Sequence, residues 1–196
     1  MASTGHFNVN KLFSCKGMVC VVTGGGTGIG LMASQALAAN GARVYITSRR
    51  METLEKSADI HDPGQSGGEI IPIGPCDVRK KEDLQKLVED LSKKEKYINM
   101  LMVNAGITGP RAKPEQNDAE ALKENLWESE SVEEWQDAFQ TLVTSVYFTT
   151  VAFLPLLQAA IEPNGPLEKF GASVITTSSI SGLIRHAQGH FAYNGR

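Results

Sequence analysis

Apolar residues in this chain fall into short uninterrupted runs, separated by segments in which they recur every three or four positions. Residues 18–22 are one such run, the pattern of a strand buried on both faces in a parallel sheet. Residues 31–40 then read as a helix, with Met32, Ala33, Ala36, Leu37 and Ala39 forming its apolar face and Asn40-Gly41 ending it. A second strand is expected at 42–47, a helix at 51–59, a Pro- and Gly-bearing surface loop at 61–68 and a short third strand at 69–73. From about residue 80 to 93 charged and apolar positions share a helical period, which turns Leu84, Leu87, Val88 and Leu91 inward. A fourth strand follows at 98–103.

The segment 107–130, with Pro110, Pro114 and many acidic residues, reads as an insertion holding a short helix around 119–127. Ser131 with Glu134 three positions on predicts a capping box. The helix it opens is expected to run through Val151 towards Leu157, with Pro155 bending or ending it. A loop at 162–171, a fifth strand at 172–177 and a glycine-bounded loop before a helix start complete the pattern. Residues 1–17 read as an arm.

Strands that alternate with helices imply right-handed crossovers and an open parallel sheet of the α/β class, with helices on both faces. Such sheets bind ligands at the carboxyl ends of their strands. Four predicted strand ends carry polar or glycine-rich chemistry: Thr23-Gly24-Gly25-Gly26-Thr27-Gly28-Ile29-Gly30, Asp77, Asn104-Ala105-Gly106 and Ser179. A strand that turns through glycines into a helix offers bare backbone N–H groups and a helix N-terminus to a pyrophosphate, although a glycine turn alone also serves as a ligand-free corner.

Composition narrows the classes. The chain has 196 residues, 41% hydrophobic and 21% charged, which suits one domain with a substantial core. A net charge of -3 does not favour nucleic acid as a partner. Cys15, Cys20 and Cys76 are odd in number and lack zinc spacing, so free thiols in a reducing compartment, the cytoplasm, are expected. His186 and His190 stand four apart without a glutamate between them, which argues against a metal. No uninterrupted apolar stretch reaches the length of a membrane span, so no membrane partner is expected.

With these residues in hand, the chain resembles the short-chain dehydrogenase/reductase family, in particular its 3-oxoacyl-acyl-carrier-protein-reductase-like members. The motif T-G-x-x-x-G-x-G is present at 23–30, N-A-G at 104–106, S-x-x-G at Ser179 to Gly182, and Tyr193 stands where Y-x-x-x-K begins. The resemblance implies a Rossmann-type doubly wound parallel sheet, a single dinucleotide-binding domain over 1–196 that is incomplete at its C-terminus, and hydride transfer between a nicotinamide and a carbonyl or secondary alcohol.

By the same resemblance Tyr193 is the acid/base and Ser179 positions the substrate oxygen, with Ser178 the alternative. Gly24, Gly26, Thr27, Gly28, Ile29 and Gly30 cradle the pyrophosphate side of the cofactor. Asp77 meets the adenine amino group with Val78 lining the ring, and Asp77 also reads as an N-cap for the next helix. Asn104, Ala105 and Gly106 lie along the ribose. At the end of the second strand Ser48 and Arg49, followed by Arg50, stand where an acidic residue would select NAD(H); a hydroxyl and guanidinium suit a 2′-phosphate, so NADP(H) is expected, a solvated pair of arginines being the other reading.

The chain departs from the family pattern twice. The lysine of Y-x-x-x-K falls immediately after Arg196, and Leu142 stands seven residues beyond Trp135 where the family places asparagine in W-x6-N. The last strands and helices of a complete member are expected to be missing. A homo-oligomer is expected for a complete chain. The alternative function is a non-catalytic dinucleotide-binding or protein-interaction member.

Overall fold

Strand β1, Val19–Thr23, is buried along its whole length and stands at the centre of the molecule. Its alternate side chains point to opposite faces of the sheet, and each face meets its own helices. Val19 and Val21 join Leu84, Leu87 and Leu91 of α4 (Lys81–Ser92) and Phe153, Leu156 and Leu157 of α7 (Ser145–Ile161). Cys20 and Val22 instead meet Ala38 of α2 (Gly28–Ala39) and Leu54 and Ala58 of α3 (Met51–His61). An apolar run therefore becomes a strand here because both of its faces have partners.

The computed structural model describes residues 7–162, 171–184 and 188–195. Five parallel strands lie in the order β3-β2-β1-β4-β5, with β2 at Arg43–Thr47, β3 at Glu69–Pro72, β4 at Met100–Val103 and β5 at Ser173–Thr176. This is the doubly wound arrangement expected from the alternation of elements, with the switch in strand order between β1 and β4. A short α1, Val9–Leu12, lies in the expected arm, α5 (Ala119–Ser129) in the expected insertion, and α8 (Phe191–Asn194) at the expected helix start. The expected loop at 162–171 falls mostly outside the described residues, as do His186 and Arg196.

Several expectations need correction. Helix α2 begins at Gly28, earlier than expected, and its buried residues are Gly30, Ser34 and Ala38, whereas Met32, Ala36 and Ala39 are exposed. Gly30 lies so close to the Gly24 carbonyl and the Asn104 amide that no side chain fits there, and Ala38 joins the core of β1 and β2. Ser34 Oγ completes the contact by donating to the Gly30 carbonyl at 2.8 Å. On α4, Val88 is half-buried and supports the core from its margin.

The capping box forms as expected: the Ser131 hydroxyl accepts from Glu134 N, and the Glu134 carboxylate accepts from Ser131 N. It opens α6, Val132–Phe139, which runs through a π-helical turn, Gln140–Thr144, into α7. Pro155 does not end α7; it and Val151 lie on the exposed side, where water can take the carbonyl that proline leaves unpaired. The joined helix Val132–Ile161 spans 30 residues and is long and apolar enough to cross a membrane by length and composition. Its apolar stretches are interrupted by Ser, Thr and Gln, so it holds no uninterrupted apolar run of that length, in keeping with the expectation from sequence. Six α7 residues, Ser145, Thr149, Phe153, Leu156, Leu157 and Ala160, are buried, and the same pattern is met in core helices.

Candidate functional site

The carboxyl ends of β1, β2 and β4 and the segment after β3 surround a cleft of about 270 Å³. Its floor is the glycine turn. Gly24 has φ +65°, a conformation that a side chain disfavours, and its N–H donates to the Thr47 carbonyl at 2.8 Å, which ties the turn to β2. Gly30 answers a different need: a Cβ there would fall 2.4 Å from the Gly24 carbonyl oxygen and 2.5 Å from the Asn104 side-chain amide. Ser57 of α3, which the motif reading missed, donates to the Gly26 carbonyl at 2.7 Å and fixes the turn from the other side.

Thr23, fully buried, joins this turn to the end of β4. Its Oγ1 accepts from Asn104 N at 3.0 Å and from Ala105 N at 3.1 Å, while the Asn104 amide donates back to the Thr23 carbonyl at 3.2 Å. Thr177, just past β5, donates to Asn104 Oδ1 at 3.0 Å. The Asn104 side chain thus staples three strand ends together.

Gly24, Gly26, Thr27, Ser48, Arg49, Asp77, Val78, Ala105 and Gly106 all line the cleft. Ile29, Asn104 and Tyr193 line an adjoining pocket of about 400 Å³ that shares Gly24, Thr27, Ala105, Gly106 and Ile107 with it. Gly28 and Gly30 shape the turn without lining either space. Ser179 lines neither: its hydroxyl accepts from Ser181 N at 3.2 Å and bonds Ser181 Oγ at 3.1 Å, the part of a local cap. Leu142 lines the pocket that holds Tyr193.

Asp77 is not the N-cap of α4, since that position falls on Lys80 without a side-chain cap. Its carboxylate is instead held by Arg79. Arg79 Nε lies 2.9 Å from Oδ1 and 3.2 Å from Oδ2, Nη2 lies 2.6 Å from Oδ2, and Arg79 N donates to Oδ1 at 3.1 Å. These bonds hold the Asp77 carboxyl below the usual carboxylate range, with Arg49 adding a smaller pull. Arg79 Nη1 also donates to Asp137 of α6, and its carbonyl accepts from Gln140 in the π turn at 3.2 Å. Sequence motifs did not single out Arg79, Thr53 or Thr141, all of which line the cleft. Burial pushes the Cys76 thiol on the same wall up to about 12.

Comparison with known proteins decides what this arrangement is. The family model described as short chain dehydrogenase matches residues 18–194. The chain belongs to this family. It is 41% identical over 186 residues to the short-chain dehydrogenase/reductase PhomF of Diaporthe leptostromiformis, a match covering 93% of this chain and 61% of that protein. It is also 30% identical to the rhamnolipids biosynthesis 3-oxoacyl-[acyl-carrier-protein] reductase of Pseudomonas aeruginosa, over 94% of this chain and 63% of that one. Among solved structures, the Pseudomonas aeruginosa RhlG/NADP active-site complex superposes with a TM-score of 0.76 at 28% identity, covering 93% of this chain and 62% of that one. The chain thus spans about three-fifths of the length of these members of the short-chain dehydrogenase family.

Proposed function

We propose that the protein is an NADP(H)-dependent oxidoreductase acting on a carbonyl or secondary alcohol of a small molecule, as a cytoplasmic enzyme. One observation carries the reading: a glycine-floored cleft with Ser48 and Arg49 on one wall opens into a second pocket that contains Tyr193. Membership of the short-chain dehydrogenase family supports a nicotinamide dinucleotide, and the NADP of the RhlG complex agrees with the phosphorylated form.

The residues present suit such a cofactor. The turn can take this shape because no Cβ at Gly30 strikes the Gly24 carbonyl and the Asn104 amide, and the exposed Arg49 guanidinium beside Ser48 offers a phosphate the donors it needs. Gly24, Gly26, Thr27, Gly28, Ile29 and Gly30 would hold the pyrophosphate, Asp77 and Val78 the adenine, and Asn104, Ala105 and Gly106 the wall beside the ribose. When bound, the nicotinamide supplies or accepts the hydride. Tyr193 gives its phenolic proton to the substrate oxygen in reduction and takes it back in oxidation. Ser179 turns from Ser181 to hydrogen-bond that oxygen, and the neighbouring pocket excludes water from it.

A second reading has its own observation: Leu142 places an apolar side chain beside Tyr193 where the family pattern has an amide. On that reading the protein binds the dinucleotide without turnover. Oxidation of NADPH in the presence of a panel of ketones and 3-oxoacyl thioesters separates the two. Turnover that Tyr193→Phe and Ser179→Ala each abolish, with NADPH affinity kept, supports the enzyme; NADPH binding with no turnover across the panel supports the second reading.

A further inference from the structure

Resting on the dinucleotide reading, we propose that Arg79 is a positioning residue for the cofactor's adenine end, presenting one oxygen of Asp77 to the exocyclic amino group and fixing the cleft's far wall. Arg79 spans two elements. On one side it forks onto Asp77, after β3; on the other it reaches Asp137 of α6, while Gln140 in the π turn donates to its carbonyl. Asp77, Arg79 and Thr141 all line the cleft, and Thr141 follows Asp137 by one helical turn, so the strap sets the separation of two cleft walls.

The count of acceptor positions makes the role specific. A carboxylate offers about four lone-pair positions. Arg79 takes three with short bonds, from N at 3.1 Å, Nε at 2.9 Å and Nη2 at 2.6 Å, while its Nε contact to Oδ2 at 3.2 Å is the weaker arm of a shared bond. One position on Oδ2 is left for a neutral N–H donor. Asp77 N in turn donates to Asp83 Oδ2 at 2.8 Å, which holds the turn that carries both residues. A lysine at position 79 would keep the charge but could not fork onto Asp77 while reaching Asp137.

The test compares NADP+ with its 1,N6-ethenoadenine analogue, in which the amino donor is removed, by titration calorimetry on the wild-type chain and three variants. Wild type is expected to bind NADP+ about five- to tenfold tighter than the etheno analogue, the size of one hydrogen bond. Arg79→Lys and Asp77→Asn are each expected to bring that ratio below about threefold, whereas Asp137→Ala, which removes the acceptor that ties Arg79 to α6, falls between. A change confined to folding would weaken both ligands alike and leave the ratio intact. Arg79→Lys that keeps the wild-type ratio, or wild type with no ratio, overturns this inference while leaving the proposed function standing. Should Arg79→Lys not fold, Asp137→Ala with an unchanged ratio is equally decisive against it. Wild type that binds neither nucleotide overturns the proposed function itself.

Discussion

Strands β1 and β5 both carry β-branched residues and run in the same direction, but they do not share an environment. Every residue of β1 is buried, and its Val and Cys side chains alternate into two separate cores. Every residue of β5 is exposed, with Val174 at 39% and Ile175 at 43%, although it pairs in register with β4. Burial is thus a property of the layers around a strand and not of the strand's own residues. The glycine turn at the cleft floor thus follows a strand covered on both faces, while Ser179 follows β5, which pairs with β4 and whose described residues are exposed.

The comparison breaks most visibly in stability. Ile46 in β2 is fully buried and presses on the glycine turn, its Cγ2 lying 2.7 Å from where a Gly25 Cβ would stand. Ile46→Ala is expected to cost about 2–5 kcal/mol of unfolding free energy, and Ile175→Ala in β5 under about 1 kcal/mol, by urea denaturation. Equal losses would show that β5 is covered in solution.

The glycines sharpen the contrast at the next scale. Gly30→Ala forces atoms apart at the turn and is expected to cost about 1–3 kcal/mol and to weaken NADPH binding at least roughly tenfold. Gly182, near Ser179, has open space where a Cβ would stand, with no heavy atom within 4 Å, so Gly182→Ala should leave both unchanged.

A further effect is one of pH. Burial raises the Cys20 and Cys76 thiols from 9.0 to about 12. Their contribution to stability is complete below pH 9 and is lost as pH rises from there towards 12. Cys76→Ala should therefore flatten the alkaline fall in melting temperature. Asp77 acts at the other end: its lowered folded value gives stability that is present above the unfolded value of about 3.9 and lost as pH falls through the folded one.

Much of this was legible in the sequence, because apolar runs report strands and glycine placement reports a turn. The five strands and the capping box of α6 follow from local pattern. The inner face of α2 did not, since at Gly30 close packing against Gly24 and Asn104 excludes any side chain, and this depends on elements far apart in the chain. The π turn and the passage of α7 through Pro155 escaped for a related reason: both depend on where the helix meets the sheet and the solvent. In the candidate site, motif spacing located the cleft walls. It could not show that Arg79 grips Asp77 and Asp137, residues 60 positions apart, or that the Ser179 hydroxyl faces Ser181.

The central claim is that the covered half of the sheet holds a phosphorylated nicotinamide dinucleotide. Titration calorimetry of the wild-type chain with NADPH and with NADH tests it most directly, with Arg49→Gln as the control. Single-site NADPH binding about tenfold or more tighter than NADH, with Arg49→Gln reducing that preference, is the predicted result for a charge-assisted phosphate contact. Folded protein that binds neither nucleotide, or binds NADH as tightly as NADPH, would contradict it.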